Sequence, residues 1–218
     1  MKKLKAKPKA VIFDMDGVIV DSMPYHFIAW YEALRPFGIR VGCFEVYAQE
    51  GERWEKTLRG LLKRGRIRPT RRILNKIFSL RQKIFRKNFK RYIFQGADDL
   101  LRQLKSRGIL LGLVTGSPLT EVEKILPGRI KKMFNVIIAG NQVKKGKPHP
   151  EPYLKAAQAL KLKPEACLVI ENAPFGITSA KKAGMFCIAV STSLPKAYLD
   201  SADIVVSALD QIPKFIPA

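Results

Sequence analysis

Short apolar runs rich in β-branched residues alternate with amphipathic stretches over most of the chain. Six of these runs are candidate strands, at residues 10–13, 109–115, 135–139, 167–170, 187–190 and 203–206. Helical stretches separate them, such as ADDLLRQLKSRG, which stops at Gly108, and EPYLKAAQALK, which precedes Pro164. Because parallel strands are buried on both faces and are joined by helices, this pattern predicts an α/β fold built on a parallel sheet.

The stretch between the first two predicted strands has a different pattern. Residues 21–92 contain no comparable apolar run and show helical periodicity instead. The simplest interpretation is a small all-helical domain, residues 21–92, inserted after the first strand. The α/β core domain then comprises residues 1–20 and 93–218.

The longest predicted helix of the insert, residues 71–92, places one cation among apolar side chains. At about 100° per residue, Ile73, Ile77 and Ile84 share one side of this helix. Arg81 falls inside the same arc, whereas most other basic residues of the helix lie on the opposite face. An arginine within an apolar stripe is expected to be paired, to extend its head to solvent or to bind a ligand.

Charge is distributed unevenly over the 218 residues. Lys and Arg number 40 against 18 Asp and Glu, which gives a formal net charge of +22. Residues 1–9 carry five lysines and no acid, and residues 53–91 carry 16 basic residues and one acid. The apolar share of 47% excludes a disordered polycation. The excess charge is therefore a property of the insert and of a basic tail, on a nearly neutral body.

The composition also speaks against membrane and disulfide-rich classes. No apolar run approaches the roughly 18 residues of a membrane span. Cys43, Cys167 and Cys187 are an odd, sparse set without the spacing of a metal site. We therefore expect a reduced, cytoplasmic protein that does not enter a membrane.

The first motif with chemical content is VIFDMDGVIVDS, which begins in the first predicted strand. Asp14 and Asp16 follow that strand directly, and Gly17 permits a sharp turn. Ligands of open parallel sheets bind at the carboxyl ends of the strands, so both carboxylates are expected in the site. Two such acids can hold one metal ion and divide a reaction between a nucleophile and a proton carrier.

This motif resembles that of the haloacid dehalogenase-like (HAD) superfamily, whose further motifs follow in the same order. LLGLVTGS contains Thr115, VKKGKPHPEPYL contains Lys147, and CLVIENAPFG contains Glu171 and Asn172. Within the superfamily the chain is most similar to the β-phosphoglucomutase-like phosphatases, which carry a helical cap after the first strand. The resemblance implies a Rossmann-like core with helices on both faces of the sheet, and it identifies the insert as the cap domain.

The resemblance implies phosphoryl transfer in two steps. Asp14 is expected to attack phosphorus and to become an aspartyl phosphate. Asp16 is expected to protonate the leaving group and then to activate water, while Lys147 neutralises charge beside the nucleophile. Since the dehalogenases of the superfamily lack the second aspartate, Asp16 favours phosphate chemistry.

The same resemblance assigns residues that bind phosphate and metal. The hydroxyl of Thr115 and the backbone N–H groups of Gly116 and Ser117 are expected to bind phosphoryl oxygens. The expected cofactor is Mg²⁺, and its expected ligands are Asp14, Asp16, Glu171 and Asn172. Asn172 departs from the common pattern, which has a second acid there, and this departure bears on the affinity for the metal.

The cap is expected to supply substrate specificity. DSMPYHFIAW resembles the beginning of the cap in these enzymes, with His26 near the hinge. Glu50 falls where the resemblance places a cap residue that faces the active site. Trp54, next to Arg53, stands where the mutases carry an arginine that binds a second phosphate. Related enzymes have a basic residue at the position of Arg81, which is our candidate for contacting the substrate phosphate.

These observations predict a Mg²⁺-dependent phosphatase for small phosphorylated metabolites, either phosphomonoesters or pyrophosphate. A β-phosphoglucomutase-type mutase is the alternative of the same class, and Glu50 and Trp54 count against it. Nucleic-acid binding through the basic cap is the alternative of a different class, but the aromatic residues of the cap share its apolar face. The expected partner is a small anionic phosphorylated substrate, and the sequence leaves the oligomeric state open.

Overall fold

The six predicted strands form one parallel sheet in the computed structural model, which describes Leu4 and residues 6–217. The strands are β1 (Ala10–Phe13), β2 (Leu110–Val114), β3 (Val136–Ile138), β4 (Cys167–Glu171), β5 (Phe186–Val190) and β6 (Ile204–Val206). Their order across the sheet is β3-β2-β1-β4-β5-β6. The predicted α/β fold is thus confirmed, with β1 inside the sheet between β2 and β4.

Helices cover both faces of this sheet. The α-helices are α1 (Met23–Leu34), α2 (Cys43–Ala48), α3 (Trp54–Arg64), α4 (Arg71–Asn88), α5 (Ala97–Ser106), α6 (Leu119–Ile125), α7 (Gly128–Lys131), α8 (Glu151–Ala159) and α9 (Pro174–Lys182). Val11 and Phe13 of β1 pack into a buried cluster with α5 and α6. Ala10 and Ile12 pack into a second cluster with α8 and α9. Because each strand is covered on both sides, its residues are apolar, apart from Glu171 at the end of β4.

The chain between β1 and α5 forms the helices α1 to α4. They enclose an apolar cluster of their own, whose members include Trp30, Leu58, Leu62 and Ile77. The segments that enter and leave these helices run side by side: the Asp21 N–H donates to the Tyr92 carbonyl (2.9 Å), and the Phe94 N–H donates to the Ile19 carbonyl (3.1 Å). The predicted division into a core and an insert at residues 21–92 falls at this pairing and stays a prediction.

Helix α4 has a buried face close to the one that its periodicity predicts, with Ile77 buried but Ile73 and Ile84 only half-buried. Its buried side chains are Leu74, Ile77, Arg81 and Phe85, so the arginine does lie within the apolar stripe. The helix ends at Asn88, short of the predicted end at residue 92. The chain becomes extended at Phe89 because it must return to the segment that pairs beside β1.

Three expectations from composition concern other parts of the molecule. All three cysteines are free, and Cys167 and Cys187 are buried in the core. In the part of the chain that the structure describes, no helix combines the length and the apolarity that a membrane crossing requires. The lysines at positions 2, 3 and 5, which make up most of the predicted basic tail, lie outside the described residues.

Candidate active site

Neighbouring strands bring three of the predicted site residues together. Asp14 follows β1, Thr115 follows β2, and Glu171 ends β4. Because β1 pairs with both of the other strands, these residues meet at the carboxyl edge of the sheet. The Asp14 N–H continues the ladder by donating to the Ile170 carbonyl (2.9 Å), which fixes the backbone on which the carboxylate is carried.

Lys147 lies between two buried carboxylates at this edge. Its Nζ is 2.5 Å from Asp14 Oδ1 and 2.6 Å from Glu171 Oε1. The lysine is 2% exposed and each carboxylate is 1% exposed, so water screens none of these charges. A buried ion pair is retained only where good geometry compensates for the loss of hydration. Lys147 is therefore placed to neutralise charge on Asp14.

Glu171 is held rigidly by four donors. Its Oε1 accepts the Tyr153 hydroxyl (2.7 Å) in addition to Lys147. Its Oε2 accepts the backbone N–H groups of Asn172 (2.9 Å) and Ala173 (3.2 Å). With both oxygens engaged, Glu171 fixes the position of the lysine ammonium beside Asp14.

Burial and mutual attraction shift the pKa values of these groups. Burial raises the pKa of Asp14 well above its usual value, and the neighbouring Lys147 opposes that increase. Burial alone would lower the pKa of Lys147, but Asp14 and Glu171 outweigh it and raise that pKa, so the ammonium stays protonated at neutral pH. Burial also raises the pKa of Tyr153, whose phenol therefore remains a donor to Glu171.

The Asp16 carboxylate contacts different residues from those that Asp14 contacts. Its Oδ1 accepts the Ser22 hydroxyl (2.6 Å) and faces His26 Nε2 at 3.0 Å. Its Oδ2 accepts the hydroxyls of Thr115 (3.1 Å) and Ser117 (3.2 Å). Burial alone would raise the pKa of Asp16, but the charge of the facing His26, together with these hydrogen bonds, lowers it to about 2.

His26 connects Asp16 to the insert. Its Nδ1 contacts the Arg81 guanidinium, which also pairs with Glu121 of α6 (Nη1 to Oε2, 3.2 Å). The imidazole of His26 therefore faces the Asp16 carboxylate through Nε2 and the Arg81 guanidinium through Nδ1. Arg81 thus contacts a carboxylate of the core and an imidazole at the hinge, and its predicted contact with substrate phosphate stays a prediction.

A loop of the insert covers the carboxylates. Gly51 has a positive φ of +81°, and a Cβ built on it would lie 2.4 Å from Lys147 Cδ. A Cβ on Gly116 would lie 2.8 Å from the Gly51 Cα, so the loop also contacts the turn after β2. Burial raises the pKa of the adjacent Glu50, whose carboxylate interacts with the charges of His26, Asp16 and Lys147. Glu50 also lines a cavity between the insert and the core, and its predicted role in the site stays a prediction.

A cavity of about 60 Å³ lies between the insert and the core beside this loop. Trp30, Trp54 and Phe78 form its aromatic lining, and Arg81 and Glu121 also line it. The Trp54 and Phe78 rings are stacked, with centroids 3.9 Å apart. Trp54, which the sequence resemblance places at the position of the mutase arginine, thus lines this cavity with its aromatic ring.

The residues present fit a divalent cation. Asp14 Oδ2 and Asn172 Oδ1 are buried oxygens without a hydrogen-bond partner among the described residues, and such oxygens suit Mg²⁺. Asn172 is oriented by its Nδ2, which donates to the Ser193 hydroxyl (3.1 Å). Gly17 leaves room for this amide: its φ is +84°, and a Cβ there would lie 2.0 Å from Asn172 Nδ2.

The other two predicted metal ligands are engaged elsewhere. The carboxylates of Asp16 and Glu171 already accept hydrogen bonds at both oxygens, so Asp16 has its main-chain carbonyl left to offer. Over the described residues, no group of three or more His, Cys, Asp and Glu side chains is arranged to hold a metal. A cation here would therefore depend on the Asn172 amide and on main-chain oxygen as well as on Asp14.

The predicted phosphate-binding residues lie beside the two aspartates. The Ser117 N–H donates to Thr115 Oγ1 (3.1 Å), which tightens the turn after β2. Gly116 lines the cavity together with Ser117. Their contact with phosphoryl oxygens stays a prediction.

Sequence reasoning gave no site role to Ser22, Glu121 or Tyr153. Ser22 lies six residues after Asp16 and immediately precedes α1. Nothing in the local sequence distinguishes it from the other polar residues nearby. Glu121 lies in the first turn of α6, and Tyr153 is a buried aromatic residue of α8. Their partners are distant in sequence, so single-chain patterns contain no signal for them.

A parallel α/β sheet with a helical insert and buried acids at its carboxyl edge defines a class of enzymes with carboxylate-based sites. The haloacid dehalogenase-like hydrolase family matches residues 8–184. The chain therefore belongs to the haloacid dehalogenase-like hydrolase family, as its motifs predict.

Individual relatives cover nearly the whole chain. The β-phosphoglucomutase of Bacillus subtilis is 33% identical over 91% of this chain and 88% of its own. Hexitol phosphatase A of Escherichia coli is 31% identical over 94% of this chain and 93% of its own. The solved β-phosphoglucomutase of Clostridium difficile is 25% identical, with a TM-score of 0.82 over 96% of this chain and 97% of that one.

Proposed function

We propose that this chain is a Mg²⁺-dependent phosphatase that hydrolyses small phosphorylated metabolites through an aspartyl-phosphate intermediate. As a member of the HAD-like hydrolases with phosphatases among its full-length relatives, the chain is a phosphatase. The observation that supports the finer proposal is Asp14, which is buried, bound to Lys147 at one oxygen and free at the other. Such an oxygen can face phosphorus or a cation.

In the proposed reaction, Asp14 attacks the phosphoryl group and the alcohol leaves with a proton from Asp16. Lys147, positioned by Glu171, balances the charge that accumulates beside the nucleophile. Water then attacks the acyl phosphate and gives its proton to Asp16. The donors around Asp16 stabilise its anion, which is the form that this second step requires. In the first step Asp16 must therefore take up the proton that it passes to the leaving alcohol, and a substrate phosphate that binds as its monoanion supplies that proton.

A bound Mg²⁺ would supply positive charge to the phosphoryl oxygens. Asp14 Oδ2 and Asn172 Oδ1 would hold it, since both are buried oxygens that lack a donor. An amide ligand in place of a carboxylate reduces the negative charge of the site, so we expect weaker Mg²⁺ affinity than for a two-acid site.

The insert, residues 21–92, is proposed to act as a cap that excludes water. Gly51 already lies against Lys147 and Gly116, directly over the carboxylates. The paired segments around Ile19 and Phe94 connect it to the core at one place and would serve as its hinge. The free state of all three cysteines is consistent with the cytoplasmic location that we propose.

The aromatic cavity favours a phosphatase over a mutase. Among its described lining residues, Arg81 is the one arginine or lysine, and it already pairs with Glu121. A mutase must bind a sugar with two phosphates, which needs cations for the second phosphate. Trp54 and Phe78 instead offer an apolar surface suited to an uncharged leaving group.

The proposal is tested by incubating the protein with Mg²⁺ and a panel of phosphate esters, sugar phosphates, pyrophosphate and nucleotides. Phosphate release and sugar-phosphate isomerisation are measured in parallel. We expect phosphate release that is lost in Asp14→Asn and on chelation of Mg²⁺, and that persists in Asp200→Asn, which alters an exposed acid. Isomerisation without release would establish the mutase instead, and activity that persists in Asp14→Asn would exclude the assigned nucleophile.

A further inference from the structure

A second cavity, of about 380 Å³, opens between the insert and the core on the side of Lys147. We call it the basic cleft. Arg53 and Lys56 line it from the insert. The lysines that line it from the core are Lys144, Lys145, Lys182 and the buried Lys147. Of its lining residues, all of which the structure describes, Glu52 is the one acid. Glu52 is also the one residue that the basic cleft shares with the aromatic cavity, which is the 60 Å³ cavity lined by Trp30, Trp54 and Phe78.

Three of the six cations that line the basic cleft lack a compensating anion, whereas Arg53 pairs with Glu55 (3.5 Å) and Lys147 pairs with Asp14 and Glu171. Glu52 is engaged by Lys56 (2.7 Å) and by the Thr57 hydroxyl (2.8 Å). Lys144, Lys145 and Lys182 are exposed, and none of them has a carboxylate within ion-pair distance among the described residues. These cations are consequently available to a ligand.

The two walls of the basic cleft are held against each other. The Arg53 guanidinium donates to the Lys144 carbonyl (2.8 Å), which joins the insert to the core. The backbone N–H groups of Lys144 and Lys145 donate to the Glu151 carboxylate (2.6 and 2.9 Å), which fixes the core wall. Cations on opposing walls repel one another, and an anion between them would turn that repulsion into attraction.

We propose that the basic cleft binds a small polyanion with two linked phosphoryl groups, which bridges the insert and the core. Lysine and arginine both recognise phosphoryl oxygens, and the cavity is large for one phosphate ion. A ligand that contacts both walls stabilises the arrangement in which the walls meet, so its binding favours the closed insert. This site lies outside the catalytic carboxylates and does not depend on the proposed hydrolysis.

Calorimetric titration with methylenediphosphonate, a non-hydrolysable diphosphate, tests the site without Mg²⁺ and at fixed low salt. The cleft variant is Lys144→Gln/Lys145→Gln/Lys182→Gln. The control variant, Lys105→Gln/Lys132→Gln/Lys214→Gln, removes the same charge from exposed positions elsewhere. We expect the dissociation constant to rise about tenfold in the cleft variant and to change less than about threefold in the control. Equal losses in both variants, or no binding to the wild type, would overturn the proposal.

Further ligands test the requirement for two linked phosphoryl groups. Sulfate should bind at least about tenfold more weakly than the diphosphonate, because one anion contacts fewer of the cations. Equal affinity for sulfate would contradict the proposal. A nucleoside diphosphate that binds as tightly as the diphosphonate supports recognition of the diphosphate alone, and tighter binding supports a nucleotide as its source.

Arg53→Gln tests the bridge between the two walls. This change removes one cation from the insert wall and leaves the core wall intact. We expect it to weaken diphosphonate binding by a factor similar to that of Lys145→Gln on the core wall. Unchanged binding in Arg53→Gln, together with weaker binding in Lys145→Gln, would show that the anion contacts the core alone and would refute the bridge.

Discussion

Lys147, which lies beneath Gly51, and the cations on the outer face of α4 carry the same charge in opposite surroundings. Lys147 is buried between Asp14 and Glu171, at 2.5 and 2.6 Å. The outer cations of α4 are exposed and, within the described part of the chain, have no ion-pair partner; they include Lys76, Lys83 and Arg86. Residues 53–91 supply most of the net charge. The cation that is paired in a fixed geometry, Lys147, lies outside them.

This difference shows why the net charge of +22 does not locate the site. An exposed cation keeps its hydration and costs little, so many can accumulate without a specific role. A buried cation must recover its hydration energy from anions in fixed positions. A buried cation that is paired with carboxylates in fixed positions, as Lys147 is, identifies a site better than the number of exposed cations does.

The largest effect is expected for Lys147→Gln. It leaves Asp14 and Glu171 as buried carboxylates without a counter-charge, which should cost about 3–5 kcal/mol in the free energy of unfolding. The loss of positive charge beside the nucleophile should lower kcat by about 10²- to 10³-fold. Denaturant titration and steady-state kinetics measure the two effects.

The companion variants separate stability from catalysis. Lys147→Gln/Glu171→Gln should recover part of the stability but none of the activity. Lys132→Gln, which removes an exposed lysine, should change the free energy of unfolding by less than about 0.5 kcal/mol. Equal effects of Lys147→Gln and Lys132→Gln would contradict the distinction between the two kinds of charge.

Gly51→Ala should have the next largest effect. The new methyl group would lie 2.4 Å from Lys147 Cδ, so the loop can no longer lie over the carboxylates. A displacement of that kind is expected to lower kcat/KM by about 100-fold. Gly38→Ala is the control, because Gly38 also has a positive φ (+69°) but has no atom within 4 Å of the added Cβ. Similar losses in both variants would mean that backbone strain, and not closure over the site, is responsible.

Arg81→Gln compares two cations two residues apart on α4. It removes the partner of Glu121 and of His26, and we expect kcat/KM to fall by about tenfold, mainly through KM. Lys83→Gln, on the exposed face, should leave both constants unchanged. An Arg81→Gln enzyme with wild-type kcat/KM would exclude a role in the site.

The smallest effect is expected for Asp16→Asn, and it depends on pH. Its pKa of about 2 lies below the unfolded value of 3.8, so its stabilising contribution is present above pH 3.8 and is lost as the pH falls through about 2. The difference in unfolding free energy between the wild type and Asp16→Asn should therefore shrink by about 2 kcal/mol between pH 5 and pH 2. A constant difference for Asp16→Asn over this pH range would contradict the low pKa.

Local pattern is sufficient to predict the elements and part of the site. The apolar runs predict all six strands, and the strand end at Asp14 together with the family motifs identifies Thr115 and Glu171, which also stand at strand ends. Helical periodicity predicts the burial of Arg81 correctly. These features depend on neighbours in the sequence, which a single chain displays.

Tertiary contacts account for what the pattern does not predict. Glu121 lies 40 residues from Arg81. The Ser22 hydroxyl reaches Asp16 because the chain turns between these two residues. The basic cleft likewise arises only where the Arg53 loop meets the Lys144 loop, 91 residues apart. The end of α4 at Asn88 is set by the return of the chain to the pairing beside β1, which the helical period does not encode.

The most direct test of the account is to detect phosphate on Asp14 itself. The protein is incubated with Mg²⁺ and the best substrate of the panel, quenched in acid to preserve an acyl phosphate, and examined by mass spectrometry. We predict one phosphoryl group on the peptide that contains Asp14, sensitive to hydroxylamine and absent in Asp14→Asn. Rapid turnover with a phosphoryl group on another residue, or with none trapped even in a variant that slows the second step, would contradict Asp14 as the nucleophile.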